Sequence, residues 1–252
     1  MAELKKLWNL SIQLAKTDIK IRNEGSYLGF LWYLLNPLAL FLLLLLVFHD
    51  RLGQGIEMYP LYLLLGIIVF NFFQKTSSFS IDSIMKNAGL IKSIKFSNKS
   101  IIISVVLRSV FEHIFEIIVF LTFLIWFQIS LGGIIFYPLI LIIFGLFIFG
   151  VSLILSSLTI YFADLKNLWV FISRLLWFAT PIFYNIGGQT RLFYFNLFNP
   201  LYYFITISRE ILIHNRIPEL WLIFGMVGFA LLFFVIGLFV FGRLEHKFPE
   251  MI

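Results

Sequence analysis

Arg108, Glu112 and Glu116 stand four residues apart in an otherwise apolar run, so on a helix their charges share one face, with His113 beside them. That face cannot look at lipid, because insertion scales put a charge at the centre of a span at roughly 2.5–3.5 kcal/mol. It is either a polar wall beside a transport path, a relay answering cytoplasmic events, or an ion-pair ladder holding helices together. The sequence places no second polar group to meet the two carboxylates, which speaks against acid-base work on a substrate. A second polar run, Gln74, Lys75, Thr76, Ser77, Ser78 and Ser80, lines a hydrated vestibule or hydrogen-bonds a neighbouring helix.

Other chemistry lacks its equipment. No GxxxxGK[ST] run exists to cradle phosphates, so any ATP must be handled by another subunit. The chain has no cysteine, which removes thiolate nucleophiles, disulfides and Cys-based metal sites. His49, His113, His214 and His246 are scattered, and neither HExxH nor an acid cluster offers metal spacing. No GxSxG elbow, serine-lysine pairing or glycosidase-like carboxylate pair stands out. No internal repeat is visible either.

The elements that position these residues belong to a membrane. Of the 252 residues 61% are hydrophobic and 13% charged, against about half and a quarter in soluble domains. Uninterrupted apolar stretches at Leu28 to Phe48, Ile134 to Phe162 and Leu220 to Phe241 are each long enough to cross about 30 Å as helix. Three further stretches are Leu61 to about Ile81, polar after Phe73, Ile101 to Phe127 with its charges, and the short Leu168 to Phe183, which holds Arg174. The expected fold is one all-α integral membrane domain over residues 1–252 with six transmembrane helices. On that reading one side holds 12 Lys and Arg and the other 4, over similar lengths of chain. The excess puts both termini in the cytoplasm. A cleavable signal peptide is not expected, since the first apolar run starts at Leu28 and lacks a small-residue cleavage site.

Three segments outside the spans have character of their own. Leu4, Leu7, Trp8, Ile12, Ala15 and Ile19 recur at helical spacing with Lys5, Lys6, Lys16 and Lys20 among the polar positions. They predict an amphipathic helix on the cytoplasmic membrane surface, or a soluble helix packed on the cytoplasmic ends of the spans. Asp82 to Ser100 interleaves four lysines with apolar residues, which suits a short helix docking on a partner or a basic loop on anionic lipid. Asn185 to Glu219 is too aromatic for an ordinary outer loop and is expected to fold back into the bilayer as a re-entrant segment between spans five and six. Asn199-Pro200 and Gly187-Gly188 supply its bends. Aromatic faces stack on the C–H faces of sugars, so rings here and at Trp32, Tyr33, Trp169, Trp177 and Tyr184 form either a track for a glycan or belts anchoring helix ends.

The sequence then resembles a family, the permease subunits of ABC-type polysaccharide exporters, that is, the Wzm-like O-antigen and teichoic-acid permeases. Residues 18–37, DIKIRNEGSYLGFLWYLLNP, are similar through Lys20, Arg22, Ser26, Leu28, Gly29, Trp32 and Pro37. NAGLIKSIKF at 87–96, WFATPIFY at 177–184, the stretch from Asn199-Pro200 to Arg209, and KFPEMI at 247–252 continue the likeness in order. Phe96-Ser97 and Ala163-Asp164 depart from it, where the family often has Phe-Pro and Arg-Asp.

The resemblance implies a non-enzymatic half-transporter of the inner (cytoplasmic) membrane. It implies a homodimer that binds two copies of a separate ATPase, which holds the ATP and Mg, and moves a lipid-linked polysaccharide outward. Asn87, Ala88, Leu90, Lys92, Ser93, Lys95 and Phe96 are then the expected ATPase-docking residues. Trp32, Tyr33, Tyr184, Tyr194 and Tyr202 are the expected lining of a glycan channel at the dimer interface. The alternatives are a membrane-embedded enzyme acting on polyprenyl-linked sugars and an ABC permease for a drug-like lipophile.

Overall fold

The computed structural model describes residues 2–24, 31–53, 55–94 and 96–251. Ser26, Leu28, Gly29 and Lys95, singled out above, lie outside the described residues. Every regular element among the described residues is helical. The order is α1 (Ala2–Asn23), α2 (Leu31–Leu52), α3 (Tyr59–Ile81), α4 (Ser83–Lys86), α5 (Ala88–Ser93) and α6 (Lys99–Trp126). A 3₁₀ turn (Leu131–Phe136) leads into α7 (Tyr137–Tyr161), followed by α8 (Leu165–Ala179), α9 (Thr190–Leu197), α10 (Pro200–Leu212), α11 (Leu220–Leu244) and α12 (Phe248–Met251).

Four helical stretches among the described residues are long and apolar enough to cross a membrane: Leu31–Leu52, Tyr59–Ile81, Leu131–Tyr161 and Leu220–Lys247. At 1.5 Å per residue the 22 residues of α2 reach about 33 Å. The 28-residue α6 reaches about 42 Å and carries the expected charges. The 15 residues of α8 give about 22 Å before Thr180 turns extended and Pro181 follows.

Local chemistry sets the helix starts. Pro60 and Pro138 sit in the first turns of α3 and α7, where an N–H would have no helical partner. Asn199 caps α10 by accepting from the Leu201 N–H at 3.1 Å. Helix α3 is apolar on nearly every side up to Phe73 and is accordingly central, with Leu61, Leu63 to Phe70, Phe72 and Phe73 buried among α2, α6, α7, α8 and α10. Helices α2 and α11 have apolar outer faces, such as Leu42, Leu43 and Leu46 on one and Phe224, Val235 and Phe239 on the other. Helices α7 and α11 meet backbone to backbone, since a Cβ on Gly150 would overlap the Phe233 carbonyl and one on Gly237 the Gly150 carbonyl.

At the end of the bundle that holds residues 82–100, a second apolar cluster joins Ile84, Ile91, Ile101, Leu153, Phe241 and Phe248. Helix α1 packs along α6 through the small residues Ser11 and Ala15, both buried, while Trp8 and Ile21 stay exposed. The segment Asp82 to Ser100 forms two short helices, α4 and α5, rather than one. The segment Asn185 to Glu219 forms the exposed α9 and the largely buried α10, which packs on α3, α7 and α11.

Candidate functional site: a buried charge network and two ends

The face of α6 foreseen from spacing is buried, with Glu112, His113 and Glu116 each no more than 2% exposed. Arg108 Nε lies 3.3 Å from Glu112 Oε1, and Arg22 Nη1 from α1 reaches the same oxygen at 2.8 Å. Lys75 Nζ of α3 donates to Glu116 Oε1 at 2.7 Å. His113 Nδ1 stands 3.2 Å from Glu116 Oε2, and its Nε2 stands 2.6 Å from the Tyr137 hydroxyl. The tautomer with Nδ1–H satisfies both contacts, donating to the carboxylate and accepting from the phenol. The imidazole stacks on Phe72 at 4.6 Å, and Arg108 lies 4.1 Å over the Phe79 ring. Asp18 of α1 comes within 4.0 Å of Arg108; burial lifts its carboxyl above the ordinary value, with Arg108 and then Lys86 pulling it back.

The expectation that no second polar group meets the carboxylates is therefore overturned. Lys75, Arg22 and Tyr137 converge on them from three other helices, and each acid neutralises a cation that would otherwise be stranded. The network ties α1, α3 and α7 to α6. Of the polar run in α3, Ser77 and Ser80 bond carbonyls of their own helix, while Trp169 Nε1 donates to Ser77 Oγ at 3.2 Å. Ser77 thus meets a neighbouring helix, Ser80 is buried, and Ser78 of the same run is exposed.

At the opposite end a second cation is buried without any acid. Arg209 of α10 is 4% exposed. It donates to the carbonyls of Tyr62 at 3.0 Å, Pro181 at 2.7 Å and Ile182 at 2.8 Å. Its guanidinium also covers the Tyr62 ring. Gly66 makes room for it, since a Cβ there would stand 2.6 Å from Nη2. Tyr59 and Tyr62 donate to the Phe183 and Tyr184 carbonyls, each at 2.9 Å, so the chain after α8 is pinned from two sides. Beside the clamp opens a cavity of about 450 Å³ lined by Glu57, Tyr202, Arg209, Glu210 and His214 among others.

The aromatic candidates are not in one place. Trp32 is 49% and Tyr194 60% exposed, whereas Tyr33 and Tyr202 are buried at 3% and 8%. Tyr33 lies under Arg22, Tyr202 lines the 450 Å³ cavity, and the half-buried Tyr184 donates to the Ala179 carbonyl at 2.9 Å. At the other end, α5 buries Ile91 and turns Lys92 and Ser93 outward, with Ala88, Leu90 and Phe96 partly covered. Asn87 bonds back to the Ser83 carbonyl at 2.8 Å and fixes the angle between α4 and α5. No group of His, Asp and Glu among the described residues could hold a metal ion.

Residues 11–213 match the family model described as ABC-2 type transporter. The chain belongs to the ABC-2 type transporter family. As an ABC-2 transporter chain with several helices long enough to cross a bilayer, it is a multi-pass membrane protein. It is 28% identical over 250 residues to O-antigen export system permease protein RfbA of Klebsiella pneumoniae, covering 98% of this chain and 96% of the relative. RfbA of Myxococcus xanthus is 23% identical, with 99% and 98% covered. Polysialic acid transport protein KpsM of Escherichia coli is 24% identical, with 91% of both covered.

Proposed function

We propose that this ABC-2 chain is the membrane subunit of an ATP-driven exporter that moves a lipid-linked polysaccharide outward across the cytoplasmic membrane. The observation that carries the reading is the end-to-end likeness to O-antigen permeases, which extends over 98% of this chain. Energy comes from a separate ATPase, in keeping with a sequence that has no phosphate-binding loop. Two copies of the chain assemble, and each binds one ATPase through the outward side of α5. The polymer is longer than the membrane is thick, so a continuous conduit at the dimer interface serves it better than a single alternating pocket.

On this reading α6 and α8 join the four apolar stretches to make six spans, and α9–α10 is the re-entrant outer segment. Both termini lie in the cytoplasm and α1 rests at its membrane surface. The balanced charges on α6 support its crossing, since each is paired within the protein. The test is co-expression with a candidate ABC ATPase from the same genome, followed by purification on a tag carried by this chain. A stable complex of two chains with two ATPases that exports glycan into inverted vesicles is the expected result. A chain that purifies without an ATPase yet remains active on a polyprenyl-linked sugar would refute the reading.

A further inference from the structure

Helix α8 has a fixed rotation. Lys166 Nζ is held by Asp82 at 2.7 Å, Trp169 donates to Ser77 Oγ at 3.2 Å, and Trp177 meets Phe70 edge-on at 4.8 Å. These anchors turn Phe171, Arg174, Leu175 and Phe178 away from the bundle, with Phe171 59% and Phe178 66% exposed. Arg174 stands nine residues past Leu165, about 13 Å along the axis, too far for its side chain to return to the Lys166 level. The other cations deep in the bundle are matched: Lys75 and Arg108 by carboxylates, Arg209 by carbonyls. Arg174 is exposed and makes no hydrogen bond, ion pair or ring contact among the described residues.

Setting that charge against lipid would cost roughly 2.5–3.5 kcal/mol, which favours a guanidinium that looks into water or onto an anion. We propose that Arg174 lines the conduit and binds the anionic group of the transported molecule, a phosphate or a carboxylate. This inference rests on the dimeric conduit proposed above. A guanidinium presents a planar fork of donors that fits both oxyanions, and it stays charged throughout. Phe171 and Phe178, three residues before and four after it, give apolar contact on either side of the charge. Two copies across a twofold axis would set two such forks facing one lumen.

This chain has no cysteine, so with labelling read on this chain after separation from the ATPase a single introduced thiol reports alone. In the reconstituted complex with its ATPase, Phe171→Cys and Phe178→Cys are expected to react with water-borne thiol reagents. An anionic reagent should react several-fold faster than a cationic one while Arg174 is present. Reaction only with a lipid-soluble maleimide would place α8 against lipid and refute the conduit there. Equal rates for the two charged reagents would leave the conduit standing and overturn the role of Arg174, and this readout needs no change at Arg174 itself.

Farnesyl diphosphate and a glucuronic acid oligomer then serve as binding probes for phosphate and carboxylate. Arg174→Gln should weaken one or both at least about tenfold, as expected for loss of a charge-assisted contact, with Arg174→Lys intermediate and dimer yield unchanged. Loss for farnesyl diphosphate alone assigns the site to the lipid carrier, and loss for the oligomer alone assigns it to the polymer. Unchanged affinity for both overturns the proposal.

Discussion

Glu116 accepts from Lys75 and from His113, and His113 in turn meets Tyr137, so one carboxylate fixes side chains from two neighbouring helices. Glu116→Gln keeps the shape but removes the charge that balances Lys75. The expected cost is about 3 kcal/mol, as for breaking other buried pairs, with most of it recovered when Lys75→Gln is added. Thermal unfolding of the two single variants and the double variant in detergent measures the coupling; additive losses would show that the pair does not act as a unit. Arg209 makes a contrasting case, because its partners are carbonyls. Arg209→Lys replaces a planar fork with an ammonium whose three donors radiate from one nitrogen and cannot match the spread of Nε, Nη1 and Nη2 over the three carbonyls, and Gly66→Ala pushes on Nη2 from behind. Both variants should speed proteolysis within residues 185–219, and unaltered cleavage rates would mean that the clamp does not hold that segment. Spacing alone exposed the charge stack of α6, since four-residue intervals define a helix face. Its partners were invisible because Lys75 and Arg22 lie 41 and 90 positions away in sequence and meet it only once each helix has taken its rotation. The Arg209 clamp left no trace because backbone carbonyls have no sequence signature; only an arginine inside an aromatic helix hinted at it.

Among the elements, the amphipathic α1, the apolar spans and the aromatic α9–α10 region were legible from periodicity and composition. The break of the 82–100 segment into α4 and α5 was not, because it depends on the Asn87 side chain bonding back to Ser83. That break gives α5 an inner side, Ile91, and an outer side, Lys92 and Ser93. Photo-crosslinkers at Ala88 and Ser93 should therefore capture the ATPase, whereas one at Ile91 should capture Phe248 or its neighbours in the second cluster. If Ser93 yields only lipid adducts while positions in the C-terminal tail yield the ATPase, α5 is not the docking element. Phe248 is fully buried, and Phe248→Ala should cost about 3 kcal/mol and loosen α5 with it.

For the whole molecule, burial divides the aromatic candidates in a way composition could not. Tyr33→Ala and Tyr202→Ala remove rings from packed surroundings and should lower the yield of folded protein. Trp32→Ala and Tyr194→Ala remove exposed rings, and should slow glycan export while leaving dimer and ATPase binding intact. Export and yield measured on the same four variants decide it: if all four lower yield and none slows export, the rings anchor the protein in its bilayer and no sugar track exists. The glycine crossing of α7 and α11 bears on motion. At the crossing itself carbonyl rests on Cα with no side chain between, while Phe147 meets Phe233 and Phe149 meets Phe234 nearby, so sliding one helix past the other would have to move backbone and rings together. In the exporter proposed above this pair would act as a stiff beam, and movement during the ATPase cycle would fall to other helices, α8 being the one to test. Spin labels on α7 and α11 should keep one separation through the ATPase cycle while labels on α8 of the two copies report two.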